Sequence, residues 1–555
     1  MSDYSSDDFE GFYLDDSSDN DFIDKIQNGY DDRYDNEENT DANGDTKLYR
    51  WGIDITQFEK EIANYTSHIS KKEEFRLYQS PKVRELRKQM DRVYTRSTIL
   101  FSLDIEAWEK DINRITEIGI SIYDPRRQEV SLTPYIKTIH IRIAEHKHLR
   151  NGKYVPDHAE DFIGENSIVL LEKKAIALLW RLINHFFCPF YSSRCILVGH
   201  DLRGDLQWLN KLGIEIRQDA LQLDTQAVFA YTHGQNGASL SNALRAIKQP
   251  YALLHNAGND AYYTLLLAFR LCDPNVRLLT KFDEKAVGRP LLPTSEERYE
   301  CPVDMQQLGE HIEAHLEDVR THPDSRMRFR LRLRLLRKQM ERVYTRCSVM
   351  FCVDVEAWEQ DHDKVTEIGI AIYDPRDQEL SLAPNIKTFH MVIIENEHLR
   401  NGNYVPDNSK KFCGGKLWRF TEDQALWFLQ SLIDHYFDPD YEMHCSLVGH
   451  DLKGDLQWLD RLGVRIAPNV RKLDTQTVFA YTHGRDGASL KKALTTVRQP
   501  YAFLHNAGND AYYTVMLALK LCDPGVRGLV GIDYWNSEDD SKSVPTDALL
   551  QSMLR

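Results

Sequence analysis

No stretch of this 555-residue chain approaches the roughly 18–20 consecutive apolar residues of a membrane-spanning helix. The N-terminus is acidic, where a secretory signal would be basic and then apolar. No membrane partner is therefore expected. The nine cysteines include no Cys-x-x-Cys pair, which fits reduced thiols and a place in the cytoplasm or nucleus. Positive charge is scarce at the start. Residues 1–46 hold sixteen Asp and Glu against Lys25 and Arg33, so the net charge of −16 resides almost wholly there. Such a segment cannot bury enough apolar surface to offset its ordering entropy, and it reads as a disordered acidic tail with a possible protein partner.

What is abundant is repetition. "LRKQMDRVYTR" at 86–96 returns as "LRKQMERVYTR" at 336–346, and "LVGHDLRGDLQWL" at 197–209 as "LVGHDLKGDLQWL" at 447–459. "HNAGNDAYYT" stands at 255–264 and, unchanged, at 505–514. Every pair is 250 apart, a period too long for a solenoid, so two whole domains are expected. The division expected is an acidic tail over 1–50, a helical lead-in over 51–83, and domains over 84–280 and 331–530. A linker over 281–330 carries the helix-like patch "MQQLGEHIEAHLEDV", and 531–555 reads as a polar, frayed end.

Within the first copy, "TILFSLDIEAW", "TEIGISIYD" and "IKTIHIRI" read as strands, followed by alternating helices and strands that close on "AYYTLLLAFRL". An α/β fold with a mixed sheet flanked by helices follows. Asp104 and Glu106, two apart on a strand, share one face, opposite Phe101, Leu103 and Ile105. Adjacent carboxylates repel unless a cation lies between them. Asp205, with Trp208, Leu209 and Leu212, falls on the apolar stripe of a helix, where a charge needs a partner or a metal. His255 and Asp260 would lie about 140° apart on one helix. Gly258 and Asn259 place the helix start between them, which leaves His255 on a mobile loop able to swing over the acids.

Together Asp104, Glu106, Asp205 and Asp260 carry four negative charges, which two Mg²⁺ or Mn²⁺ ions would neutralise. A pair of such ions serves in-line attack at a phosphodiester, and His255 suits the base that deprotonates water. The second copy repeats the set as Asp354, Glu356, Asp455, Asp510 and His505.

Asp-x-Glu in "LDIEAW", His-x4-Asp in "GHDLRGD" and His-x4-Asp in "HNAGND" resemble, in order and spacing, the three motifs of the DEDDh 3′–5′ exonucleases, DnaQ-like members of the ribonuclease H-like superfamily. The resemblance covers most of each copy. The wording "HNAGNDA", with "HLRNG" upstream, most resembles a fungal branch related to a factor linked to mRNA export, in which nucleic-acid binding is better supported than catalysis. It implies a metal-dependent exonuclease acting on RNA or single-stranded DNA. Asp104, Glu106 and Asp260 would hold the tighter ion, Asp205 would act through water on the second, and His255 would be the general base. Asp354, Glu356, Asp510, Asp455 and His505 would do the same in the second copy. Two departures stand out: Asp201 and Gly204 (Asp451 and Gly454) occupy positions where the family commonly has Asn and Phe. The alternative implied is a nucleic-acid-binding or scaffold protein that keeps the fold and turns over little.

Two further features are open to a blander reading. "RMRFRLRLRLLRK" at 326–338 holds seven basic residues and no acid, either a phosphate-contacting stripe or a solvated face. His140, His146 and His148 invite a zinc reading, but no cysteine joins them and His146 is Asn396 in the second copy.

Overall fold

The computed structural model describes residues 55–535 apart from 72–80, 127, 189–194, 234–236, 285–303, 328–329, 442 and 484–487. The acidic tail expected over 1–50 lies outside the described residues, as does 536–555.

The first domain opens on two helices, α1 (Ile55–Lys71) and α2 (Lys82–Val93). Strands β1 (Ile99–Trp108), β2 (Asp111–Tyr123) and β3 (Lys137–Ile143) follow, rich in the β-branched residues that pack well on a pleated surface. The rest alternates: β4 (Ile168–Leu170), α3 (Glu172–Phe186), β5 (Cys195–Gly199), α4 (Leu202–Lys211) and β6 (Leu221–Asp224). Helices α5 (Thr225–His233), α6 (Leu240–Ala246), α7 (Ala257–Leu271) and α8 (Pro274–Leu279) complete it. The sheet order is β4-β3-β2-β1-β5-β6, with β2 antiparallel to both neighbours and the remaining pairs parallel. This is the mixed, helix-flanked sheet that the sequence implies.

The second domain repeats these elements 250 residues on, to within two residues at any boundary, and its sheet has the same order. The repeat reaches further back than the sequence suggests. The patch expected within a linker is the helix Met305–Thr321, the counterpart of α1, with Leu308, Ile312, Leu316 and Val319 buried. The end expected to fray is also anchored at its start. Ile532 and Asp533 are buried, Arg527 pairs with Asp533, and the Trp535 N–H donates to the Asp324 carbonyl at 2.7 Å.

Helix α7 crosses one face of the sheet and is buried along its whole length, which matches a sequence apolar on nearly every side. Its Leu265, Leu267 and Phe269 share one continuous apolar core with Val515, Leu517 and Leu519 of the counterpart helix. Polar contacts across this junction are reciprocal. Arg96 donates to the Leu380 carbonyl at 2.7 Å and Arg346 to that of Val130 at 2.6 Å. The Tyr251 N–H donates to the Cys413 carbonyl and the Tyr501 N–H to that of Ile163, each at 3.4 Å. In these contacts the two halves meet as the subunits of an isologous dimer would, while others belong to one side alone: Arg270 donates to the Pro384 carbonyl and to Asn385, and its copy Lys520 stays within its own half.

Candidate active site

Strand β1 turns Asp104 and Glu106 toward α7 and sends Phe101 and Leu103 into the separate apolar layer behind the sheet. Helix α7 lies very close here. Gly119, the register partner of Asp104, has no side chain, and a Cβ on it would fall 1.8 Å from the Ala257 carbonyl oxygen. Asn256 caps the helix, its side-chain oxygen accepting the Asn259 N–H at 3.1 Å. The helix therefore starts at Ala257, ahead of the start expected between Gly258 and Asn259. Asn259 has other work: it accepts the Ile163 N–H at 2.9 Å and donates to the carbonyls of Leu253 at 2.8 Å and Asp161 at 3.0 Å. Gly258 is small because a Cβ would meet His140 and Phe162, each at 2.7 Å.

His255 stands just before the helix at φ +67°, a left-handed conformation, and its backbone N–H donates to Asp260 Oδ2 at 3.1 Å. Its backbone is thus fastened to Asp260, where a mobile loop able to swing over the acids was expected, while its side chain remains exposed. Glu106, His255 and Asp260 bring their ligand-capable atoms within 4.8 Å of one another, and Glu356, His505 and Asp510 do the same. Asp205 enters from the first turn of α4, where the helix dipole favours a negative charge, and its carboxyl group accepts the Ile105 N–H between the two β1 acids. All five candidate residues of the first domain, Asp104, Glu106, Asp205, His255 and Asp260, are brought together. Asp354, Glu356, Asp455, His505 and Asp510 take the same places in the second.

The electrostatics are those of crowded, buried acids. Asp104 is held well above the usual carboxylate range by burial first, then by Asp260, Glu106, Asp205 and Glu117. Burial followed by the same kind of repulsion, from Asp260 most strongly, pushes Glu106 up to about 8. Burial likewise lifts Asp205 to about 8 and Asp260 to about 7. Partial burial, then His158, lowers His255. Asp104 Oδ2, Asp260 Oδ1 and Asp510 Oδ1 are buried with no hydrogen-bond partner among the described residues. Oxygen donors left unpaired in a cluster of four acids fit hard divalent cations, which take carboxylate ligands.

Sequence reasoning missed a fifth acid. Glu117 lies opposite Glu106 on β2 and is buried beside the cluster. It bonds His140 Nε2 at 2.8 Å and accepts the Ala257 N–H at 3.3 Å, so it ties the start of α7 to the sheet. Glu367 with His390 and Ala507 repeats the arrangement. The available signal was a glutamate inside an otherwise apolar strand, "TEIGISIY". The zinc reading dissolves here, because His140 is spent on Glu117 and Ser167 while His146 bonds the Ile115 carbonyl. The basic stretch is partly structural: Arg332 donates to the Tyr481 carbonyl, Arg326 to that of Tyr534, and Arg337 pairs with Glu313. At the two departures, Asp201 is in a left-handed conformation and caps nothing, and a side chain at Gly204 would meet open space.

The chain belongs to the DEDDh family, a class of exonuclease-like domains with the ribonuclease H-like fold. The family model described as "DNA polymerase III subunit epsilon-like, C-terminal domain" matches residues 99–271 and again 349–521. Among individual proteins, it is 39% identical over 219 residues to "Uncharacterized protein YDR514C" of Saccharomyces cerevisiae, covering 35% of this chain and 45% of that one. It is 36% identical over 211 residues to "Good for full DBP5 activity protein 2" of the same yeast, covering 34% and 37%. With "Uncharacterized nucleolar protein C2C4.08" of Schizosaccharomyces pombe it shares 32% over 170 residues, 29% of this chain and 64% of that one. The chain thus spans less than two thirds of each of these relatives. No helix among the described residues is long and apolar enough to cross a membrane.

Proposed function

We propose that the protein is a metal-dependent 3′–5′ exonuclease with two tandem sites, acting on RNA or single-stranded DNA. The observation that carries this reading is the meeting, in both halves, of acids from three distant segments around buried oxygens that lack partners. Asp104, Glu106, Asp260 and, through water, Asp205 would hold two Mg²⁺ or Mn²⁺ ions, as Asp354, Glu356, Asp510 and Asp455 would in the second half. Such ions polarise a phosphodiester and stabilise attacking and leaving oxygens. His255 and His505 stand exposed at the rim, and burial of part of each ring lowers its proton affinity, which favours the neutral form that can accept a proton from water. The bonds from their backbone N–H groups to Asp260 and Asp510 hold base and acids in register.

A second reading, nucleic-acid binding or scaffolding with little turnover, is favoured by the second motif. Asp201 adds an acid that raises Asp205 further, and Gly204 leaves space where an aromatic would grip substrate. One relative's name ties it to DBP5 activity and another's to the nucleolus, which suits a nuclear or cytoplasmic role beside nucleic acid. The acidic tail would serve a protein partner.

Incubation with 3′-labelled RNA and DNA oligonucleotides and Mg²⁺ or Mn²⁺ tests the first reading. Mononucleotide release that is lost in an Asp104→Asn/Asp354→Asn double variant supports it, and no release at all rejects it. Tight binding that survives EDTA, with the strand left intact, establishes the second.

A further inference from the structure

Two tyrosines outside the acid cluster stand unusually far into solvent: Tyr154 is 70% exposed and Tyr404, its copy, 84%. Single exposed aromatics are common and need no function. These two differ in that the backbone beneath them is built to present them. Glu109 follows β1 and directs its carboxylate at the loop, accepting the N–H groups of Lys153 at 3.0 Å, Tyr154 at 2.8 Å and Val155 at 3.4 Å. Glu359 does the same for Asn403 at 2.9 Å, Tyr404 at 2.9 Å and Val405 at 3.4 Å. These bonds hold Glu109 below the ordinary glutamate range and Glu359 down to about 2.

The loop is fastened at both ends of the site. Asn151 accepts the Glu109 N–H at 2.9 Å and donates to the carbonyl of Ala107, next to Glu106, at 3.3 Å. The Trp108 indole donates to the Arg150 carbonyl, and Arg150 pairs with Asp157 at 2.6 Å and Glu160 at 3.0 Å. At its far end the His158 carbonyl accepts from Asn256, next to His255, at 3.0 Å. The segment is therefore an arch from the acid-bearing strand to the histidine turn, with Tyr154 near its crest.

We propose that Tyr154 and Tyr404 are stacking platforms for the bases of a single strand entering the two sites, and that the first is the stronger. This rests on the nucleic-acid reading above and names the residues that would grip the strand. An aromatic ring recognises any base by its π-face, which suits an enzyme or binder that advances along a strand without reading it. A ring carried on a pre-fixed backbone loses less conformational freedom on binding than one on a loose loop. The two arches differ in charge. Over 145–158, Lys147, Arg150 and Lys153 outweigh Glu145 and Asp157 for a balance of +1, whereas over 395–408, Arg400 against Glu395, Glu397 and Asp407 leaves −2. The Lys153 ammonium also lies over one face of the Tyr154 ring, 4.7 Å from its centre, so a base would stack on the other face with a cation close by. The second arch has Asn403 there.

The test uses the full chain with Mg²⁺ and fluorescein-labelled phosphorothioate oligonucleotides, which resist cleavage, read by anisotropy. Tyr154→Ala is expected to weaken binding by about 5- to 100-fold, Tyr154→Phe to stay near wild type, and Tyr404→Ala to lose less. An abasic strand of the same length should bind wild type and Tyr154→Ala alike. If wild type binds the strand and Tyr154→Ala matches it within about twofold, the platform is overturned while the nucleic-acid reading stands. If the abasic strand loses as much as the normal one, stacking is likewise overturned. If wild type binds no oligonucleotide, both fall together. Thermal unfolding of each variant guards against a folding defect.

Discussion

Gly119 and Ala257 meet backbone to backbone, one on the second strand and the other at the first turn of the buried helix, with no room between them for a β-carbon. The Gly369–Ala507 pair repeats the contact. Gly119→Ala must push the helix off the sheet and carry Asp260 away from Asp104. The expected result is a loss of about 1–3 kcal/mol or more in denaturant unfolding. Divalent-ion binding in the first domain should be lost, while the second keeps its own.

The acid clusters make the metal-free protein sensitive to pH. Their folded-state pKa values lie above the unfolded ones, reaching about 7 at Asp260 and about 8 at Glu106 and Asp205. Between pH ~4 and ~8 the folded state therefore holds protons the unfolded state has released, and stability falls as pH rises. The melting temperature in EDTA should drop from pH 5 to pH 8, and Mn²⁺ should restore it most at pH 8. At a hundredfold excess over its dissociation constant, each ion would contribute roughly 2.7 kcal/mol. An Asp104→Asn/Asp354→Asn variant should show a flatter EDTA profile.

Glu379 gives a separate test away from the sites. It is buried at the junction of the two halves, its Oε1 has no partner among the described residues, and burial pushes its carboxyl up to about 8. The same sign applies: its contribution is intact below the unfolded value near 4.3 and declines as pH climbs toward 8. Glu379→Gln should stabilise the protein at pH 8 by about 1–3 kcal/mol and change little at pH 4, read from urea midpoints at both pH values.

The junction itself is testable through Arg96 and Arg346. Each guanidinium satisfies a carbonyl of the opposite half, so Arg96→Met or Arg346→Met leaves a buried acceptor unpaired. Each change should cost about 1–3 kcal/mol. Both halves should still unfold in one transition, because the apolar core runs through both.

The parts of this architecture legible beforehand were those written in short periods. The two-residue alternation of β1 put Asp104 and Glu106 on one face, and the fixed 250 offset announced two domains. What escaped notice depends on partners far along the chain. Asn259 resembled a helix boundary because its side chain could have capped one. It is engaged instead by Asp161 and Ile163, nearly a hundred residues earlier. Glu117 drew no attention because its partner His140 lies on another strand. The helix at 305–321 was legible as a helix-like patch, but its correspondence to α1 was hidden by weak similarity, since its place is set by packing and not by shared letters.

Joining two like halves in one polypeptide has a further effect at the arches. A homodimer must accept every change twice, once in each subunit, and so remains symmetric. Here Lys147 and Lys153 stand at positions that the second copy fills with Glu397 and Asn403. The reciprocal bonds preserve the shared frame, and a single polypeptide lets the two arches diverge in charge without disturbing it.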